Sequence, residues 1–260
     1  MNRMIIDANT NKLYKLFLIF FVIIILGSVT GCGTFVGDAK EVAINKDDRY
    51  YTFDSTTIFD ALNQESQNIF SLSSITPTPE SSPPSVTIPW TQSDYLRVAE
   101  AVQQSILQEP LGALNLYYAT FTMNCGDINK GTFSEVDFVF YKVIQTEEGA
   151  TRVQYHIILI PSENFMKTNK AEFIPNIKII EPIDLSRYQI TAEKALQIAE
   201  ENGGTQKRSE VNDSCMVFGM VDGPTGWTVT YQTRSEYRWM PIYKITIDPQ
   251  TGSSKVVLSK

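Results

Sequence analysis

From residue 90 onward, hydrophobic positions switch twice between helical and strand spacing. Tyr95, Val98, Ala99, Val102 and Ile106 recur three and four residues apart, which predicts an amphipathic helix. Thr91 stands ahead of it as an N-cap, and Asp94 sits where a capping box places its acid. Trp90 and Tyr95 are spaced to staple the entry of that helix, and Pro110 and Gly112 are its stop signals. Strands are expected next at Leu114 to Met123, Val136 to Gln145 and Arg152 to Ile160. The opening then returns at Thr191, with Ala192, Ala195, Leu196 and Ala199 as the apolar stripe and Gly203-Gly204 as the expected end. A second run of strands follows at Ser214 to Val221, Trp227 to Thr233 and Ile242 to Asp248, with a short last strand at Lys255 to Leu258.

Alternation gives the strands one apolar face each. Trp227, Val229 and Tyr231 point one way while Thr228, Thr230 and Gln232 point the other. Tyr243, Ile245 and Ile247 alternate in the same manner with Lys244, Thr246 and Asp248. Period two with one polar face predicts antiparallel sheet covered on one side. Glu147-Glu148-Gly149 and Asp222-Gly223-Pro224-Thr225-Gly226 read as hairpin connections. Thr91 to Glu100 also lies over Thr191 to Glu200 with identical Thr, Leu, Ala and Glu at matching places. The expected fold class is therefore α+β: tandem helix-plus-antiparallel-meander units over residues 91–186 and 187–260.

The start of the chain has a different character. Arg3, Lys12 and Lys15 precede an apolar run from Leu16 to Leu26. That run spans roughly 16 Å as a helix, about half of a bilayer's hydrocarbon core. It reads as the h-region of a signal peptide over residues 1–31. Val29-Thr30-Gly31-Cys32 follows, a branched residue, two small residues and a cysteine, the pattern of a bacterial lipobox. Cys32 is then the lipidation site, and two or more acyl chains give stable anchoring. The expectation is a lipid-anchored protein on the extracytoplasmic face of a bacterial cell membrane. Residues 32–90 read as a tether, since Ser71 to Pro89 is rich in Ser, Thr and Pro. A short strand at Tyr50 to Phe53 and a short helix at Thr57 to Asn68 are expected inside it.

Charge narrows the range of partners. The chain carries 22 basic and 29 acidic residues, and the leader holds three of the basic and one of the acidic, so removing it takes the net from −7 to −9. Such a surface repels nucleic acid phosphates, and no Lys/Arg-rich stretch offsets it. With Cys32 acylated, Cys125 and Cys215 remain, and in an oxidising compartment they either form a disulfide or stay as two buried thiols.

Residues 191–252 resemble a PepSY domain. The likeness rests on Thr191-Ala-Glu-Lys-Ala-Leu-Gln-Ile-Ala199, on Gly226-Trp227-Thr-Val229-Thr-Tyr231, and on Tyr243-Lys-Ile-Thr-Ile-Asp248-Pro-Gln-Thr-Gly252. The segment from residue 91 is similar only through its helix. The resemblance implies a cystatin-like module that binds, inhibits or chaperones peptidases outside the cytoplasm.

Catalytic signals are sparse. His156 is the one histidine, and neither G-x-S-x-G nor H-E-x-x-H occurs. A histidine-rich zinc site is excluded, and no cofactor motif is present. Asp127 to Glu135 places oxygen ligands alternately but lacks the EF-hand glycine and closing glutamate, so it reads as a polar hairpin loop. Asp137 and Asp184 lie in or beside strands without forming a recognisable pair. Tyr237, Arg238 and Trp239, in an expected loop from Ser235 to Pro241, are residue types that concentrate in protein contacts. The sequence thus points to a non-catalytic binding or regulatory module with a protein or peptide partner. The alternatives are an envelope hydrolase using carboxylates and a structural envelope component.

Overall fold

Strand β1 (Ala43–Phe53) opens the folded chain and runs directly into helix α1 (Ser55–Asn63). The structure, a computed structural model, describes residues 43–64, 75–76, 89–147, 149–173, 181–211, 215–222, 226–235 and 238–260. Asp54 caps α1 by accepting from the Thr56 and Thr57 amides, and Ile58 and Leu62 turn its buried side to the core. Residues 43–64 of the segment expected as a tether are therefore part of the fold. Phe53, Ile58 and Leu62 supply buried apolar surface that a solvated spacer lacks. The two-residue strand β2 (Ile75–Thr76) pairs with the end of β1. The signal segment, Cys32 and most of the Ser/Thr/Pro stretch lie outside the described residues.

Helix α2 (Gln92–Ser105) has the expected capping box between Thr91 and Asp94, with Trp90 packed edge-on against Tyr95 at 5.3 Å. Strands β3 (Asn115–Asn124), β4 (Glu135–Thr146), β5 (Gly149–Ile160) and β6 (Phe165–Phe173) follow as a meander. Helix α3 (Ala192–Ala199) ends as expected at Gly203-Gly204, where Asn202 and Gly203 leave the helical conformation. A π-type segment (Glu200–Gly204), kinked at Gly203 with φ +119°, separates it from the short helix α4 (Thr205–Ser209). Strands β7 (Cys215–Asp222), β8 (Trp227–Ser235), β9 (Arg238–Ile247) and β10 (Ser254–Ser259) complete the chain.

The chain does not form tandem helix-plus-meander units, contrary to the pattern of its two halves. All ten strands make one antiparallel sheet in the order β10-β9-β8-β7-β3-β4-β5-β6-β1-β2. The seam is β3 against β7, paired from Tyr118↔Asp222 to Asn124↔Met216. The physical reason is edge exposure. As separate units, β3 and β7 would each present a row of unpaired backbone groups. Pairing them removes both edges. The helical layer is shared as well. The Gln92 amide donates to Glu193 Oε1 at 2.6 Å, and the Ala192 amide donates to Gln92 Oε1 at 2.7 Å. Each helix thus satisfies an orphan donor at the start of the other. A single buried cluster runs under both, from Phe53 and Trp90 to Trp227 and Ile245.

One face of the sheet is therefore apolar and carries the helices. On the other face lie Asp137, Gln154, His156, Asn169 and Thr230, in register across adjacent strands or on the same alternation.

Candidate functional site

The sequence-selected residues fall in separate places. Cys125 and Cys215 form a disulfide at the seam, with Cα atoms 5.3 Å apart. Cys125 begins a 3-10 turn (Cys125–Lys130), so the bridge also fixes that turn against β7. Within it, Asp127 pairs with Lys130 at 2.7 Å, which with the attendant hydrogen bond holds the Asp127 carboxyl below its ordinary range. The segment is a closed turn, with Gly131 at φ +67° completing it. Asp184 caps another short turn through the Ser186 amide and pairs with Arg187 at 2.9 Å.

His156 stands on the open face. Its Nδ1 lies 3.5 Å from Asp137 Oδ2, and its ring contacts Tyr118. Among the described residues no hydroxyl or thiol hydrogen-bonds to it, so a nucleophile is not placed beside this pair. Asp137 Oδ1 is buried without a partner among the described residues. Glu135, two residues away on the same face, has its carboxyl raised, first by burial and then by the charges on Asp137 and Glu163.

Arg238 and Trp239 lie in β9 rather than in a loop, and Tyr237 lies outside the described residues. Their strand partners are Ser235 and Arg234 in β8. Among the described residues the neighbouring strands stop short of them. β7 begins at Cys215, opposite Thr233, and β10 ends at Ser259, opposite Tyr243. The tip of the β8–β9 hairpin therefore overhangs the sheet as a two-stranded arm. On it Arg234 and Arg238 are exposed, and Trp239 keeps 39 % of its surface accessible. Aromatic rings and arginines are the residue types that concentrate in protein contacts.

Two cavities flank the helical layer. One, of about 350 Å³, lies between the Cys125–Lys130 turn and the α3–α4 segment, with Met123, Phe133 and Leu196 as its apolar part. At its rim Glu200 accepts from Tyr231 Oη at 2.6 Å, Arg208 Nε at 2.8 Å and Thr205 Oγ1 at 2.8 Å. Burial, reinforced by the Glu200 contact, drives the Tyr231 hydroxyl far above its ordinary value. Gly204 is required here, because a Cβ would meet the Tyr231 ring at 2.6 Å and the Ala199 carbonyl at 2.8 Å.

The other cavity, of about 260 Å³, lies past the C-terminal end of α2. Among the described residues the helix-covered face of the sheet loses its cover here, and its residues change type. Under α2 the rows are Phe138, Ile157 and Leu159, whereas the next positions are Thr168 with its cross-strand neighbour Arg49, and Lys170 opposite Tyr155. Ile106 to Glu109 form the opposite wall, with Gln108 at φ +57°. That left-handed turn sends Glu109 inward, where it accepts from Lys142 Nζ at 2.6 Å and Tyr155 Oη at 2.7 Å. Burial opposes ionisation of Glu109, but these hydrogen bonds outweigh it and hold the carboxyl below the usual carboxylate range. Nothing in the sequence flagged this corner.

No protein-family model, no curated protein and no solved structure matches the chain. Among the described residues no helix is long and apolar enough to cross a membrane, and no three His, Cys, Asp or Glu side chains gather as a metal site.

Proposed function

We propose that this protein is held at the extracytoplasmic face of a bacterial membrane by lipid on Cys32 and acts there as a non-catalytic binding or regulatory module. Its partner is a protein or peptide, engaged through the β8–β9 arm. The observation that carries this reading is the exposed Trp239, flanked by Arg234 and Arg238 on strands that overhang their neighbours. Aromatic and arginine side chains on a rigid two-stranded support bury large area at small entropic cost. The motifs of residues 191–252 favour a peptidase or peptide as that partner.

The test is capture in the native envelope. A photo-reactive residue placed at Arg238 cross-links a specific neighbour, and Tyr237→Ala with Trp239→Ala abolishes the adduct. Capture that persists unchanged in the double variant places the contact elsewhere. Cys32→Ser releases the protein from the membrane fraction; retention there after detergent-free washing contradicts the anchor.

A further inference from the structure

We propose that the open face of the sheet is a self-complementary interface, on which a second copy of this chain docks about a twofold axis parallel to the strands. This goes beyond the arm contact and does not depend on it. Three observations converge.

The first is the segregation of charge. Strands β8, β9 and β10 hold Arg234, Arg238, Lys244 and Lys255 and no acid. Among the described residues none of the four forms an ion pair. On the open face of β3 and β4 the charged residues are Glu135 and Asp137. The one base of β4, Lys142, faces the helices and pairs with Glu109. Asp137 meets His156 at 3.5 Å, and Glu135 has acids for its charged neighbours, Asp137 and Glu163. A cationic wing thus lies beside an acidic one on a single face.

The second is register. Glu135 on β4 pairs with Thr122, Thr122 with Phe218, Phe218 with Thr230, and Thr230 with Lys244 on β9. The next row runs through the same strands from Asp137 to Thr246 and on to Lys255 on β10. Each row therefore carries an acid at one end and a lysine at the other. Four strand spacings separate Glu135 from Lys244, roughly 19 Å, which is too far for a pair within one chain.

The third is symmetry. β7 stands midway between β4 and β9, and its Phe218 is a half-buried ring at the centre of the first row. Half a turn about an axis along β7 exchanges the two wings and keeps every row at its own height. Lys244 of each copy then lies over Glu135 of the other, Lys255 lies within one strand spacing of Asp137, and Phe218 meets its own counterpart. Facing sheets align within about 30° and pack about 10 Å apart, a gap that a lysine and a glutamate bridge together. A C2 interface of this kind is isologous, so both pairs form twice. The same axis leaves the two Ala43 ends at one level, which suits the lipid anchor proposed at Cys32. The six strands span roughly 24 Å, a small interface for which micromolar self-association is expected.

The test is sedimentation equilibrium of the full chain in neutral, density-matched detergent. The expected result is a reversible dimer. Lys244→Glu and Glu135→Lys each weaken it at least tenfold, because like charges then face each other. Mixed in equal amounts, the two variants dimerise as tightly as the unchanged chain, since each supplies the charge that the other lost. Lys194→Gln, on the helical side, leaves association unaltered. Carbodiimide treatment of mixed light- and heavy-isotope unchanged chains yields a Lys244–Glu135 amide joining one label of each kind. A chain that stays monomeric through the micromolar range overturns the proposal, as does a dimer that gives no such amide. So does a mixture that fails to pair although both variants keep the near-ultraviolet dichroism of the unchanged chain. Equal weakening by Lys194→Gln means diffuse charge attraction and overturns it too. A monomer that sediments with phosphatidylserine vesicles and is released by Lys244→Glu assigns the cations to an anionic membrane instead.

Discussion

Two corners of this molecule are built from the same three kinds of side chain and differ in what they leave open. At one, Glu200 joins Tyr231 and Arg208; at the other, Glu109 joins Tyr155 and Lys142. The two carboxylates are equally shielded, with 13 % of each side chain exposed. Their tyrosines are not in equal positions. Tyr231 is sealed under the π-type segment and lines neither cavity, whereas Tyr155 lines the cavity past α2. The lesson is that one constellation serves two ends. Covered by a helix, it locks the α3–α4 segment onto the sheet. Left at the end of a helix, it shapes a polar recess.

The largest expected effect on this comparison comes from the seam. Cys125→Ser with Cys215→Ser removes a bridge between residues 90 positions apart. Chain entropy puts the loss near 4–5 kcal/mol, read as a lower urea midpoint. Hydrogen exchange should accelerate in the Cys125–Lys130 turn, beside the Glu200 corner, and stay unchanged at Ile106 to Glu109. Equal loosening of both corners would mean that the bridge acts through the denatured chain alone.

Next comes the link between the two helices. Gln92→Ala removes the acceptor of the buried Ala192 amide. The expected loss is about 1–2 kcal/mol of unfolding free energy. A neutral result would show the two helices to be independent.

The smallest effects are those of pH. Glu109 is held below its ordinary range, so its contribution is present above the unfolded-state value and is lost as pH falls through the folded one. Glu135 is shifted the opposite way. Its folded form prefers the proton, so stability falls as pH rises from the ordinary glutamate range through the raised value. Glu135→Gln should therefore add about 0.5 kcal/mol at neutral pH and nothing at pH 3, measured by denaturant titration at both.

Much of the local structure was legible. The Thr91–Asp94 box and the Trp90–Tyr95 staple need only neighbours a few residues apart. The alternation of Trp227 to Gln232 likewise announces its own strand. What failed was long-range. The letters of Gln92 and Glu193 carry no sign that they cap each other's helices. β3 and β7 look like ends of separate meanders until they are seen paired. β6 was missed because Phe165 to Phe173 mixes three charged residues with its apolar ones. Gly203-Gly204 announces the end of α3, but nothing near it in sequence shows that Tyr231 and Tyr243 pack there, the latter donating to the Asn202 carbonyl at 2.5 Å. The corner cavity was invisible for the same reason. It depends on Arg49 facing Thr168 in register, and on a turn at Gln108 that no glycine advertises.

The division of labour between the corners is tested most directly by unfolding free energies of Glu200→Ala and Glu109→Ala under identical conditions. Removing Glu200 strands the sealed Tyr231 hydroxyl and unpairs Arg208, for an expected loss of about 2–3 kcal/mol. Removing Glu109 lets Tyr155 and Lys142 turn to water in the recess, for a loss of about 1 kcal/mol or less. A loss at Glu109 equal to or larger than that at Glu200 would contradict the account, because both corners would then be structural locks.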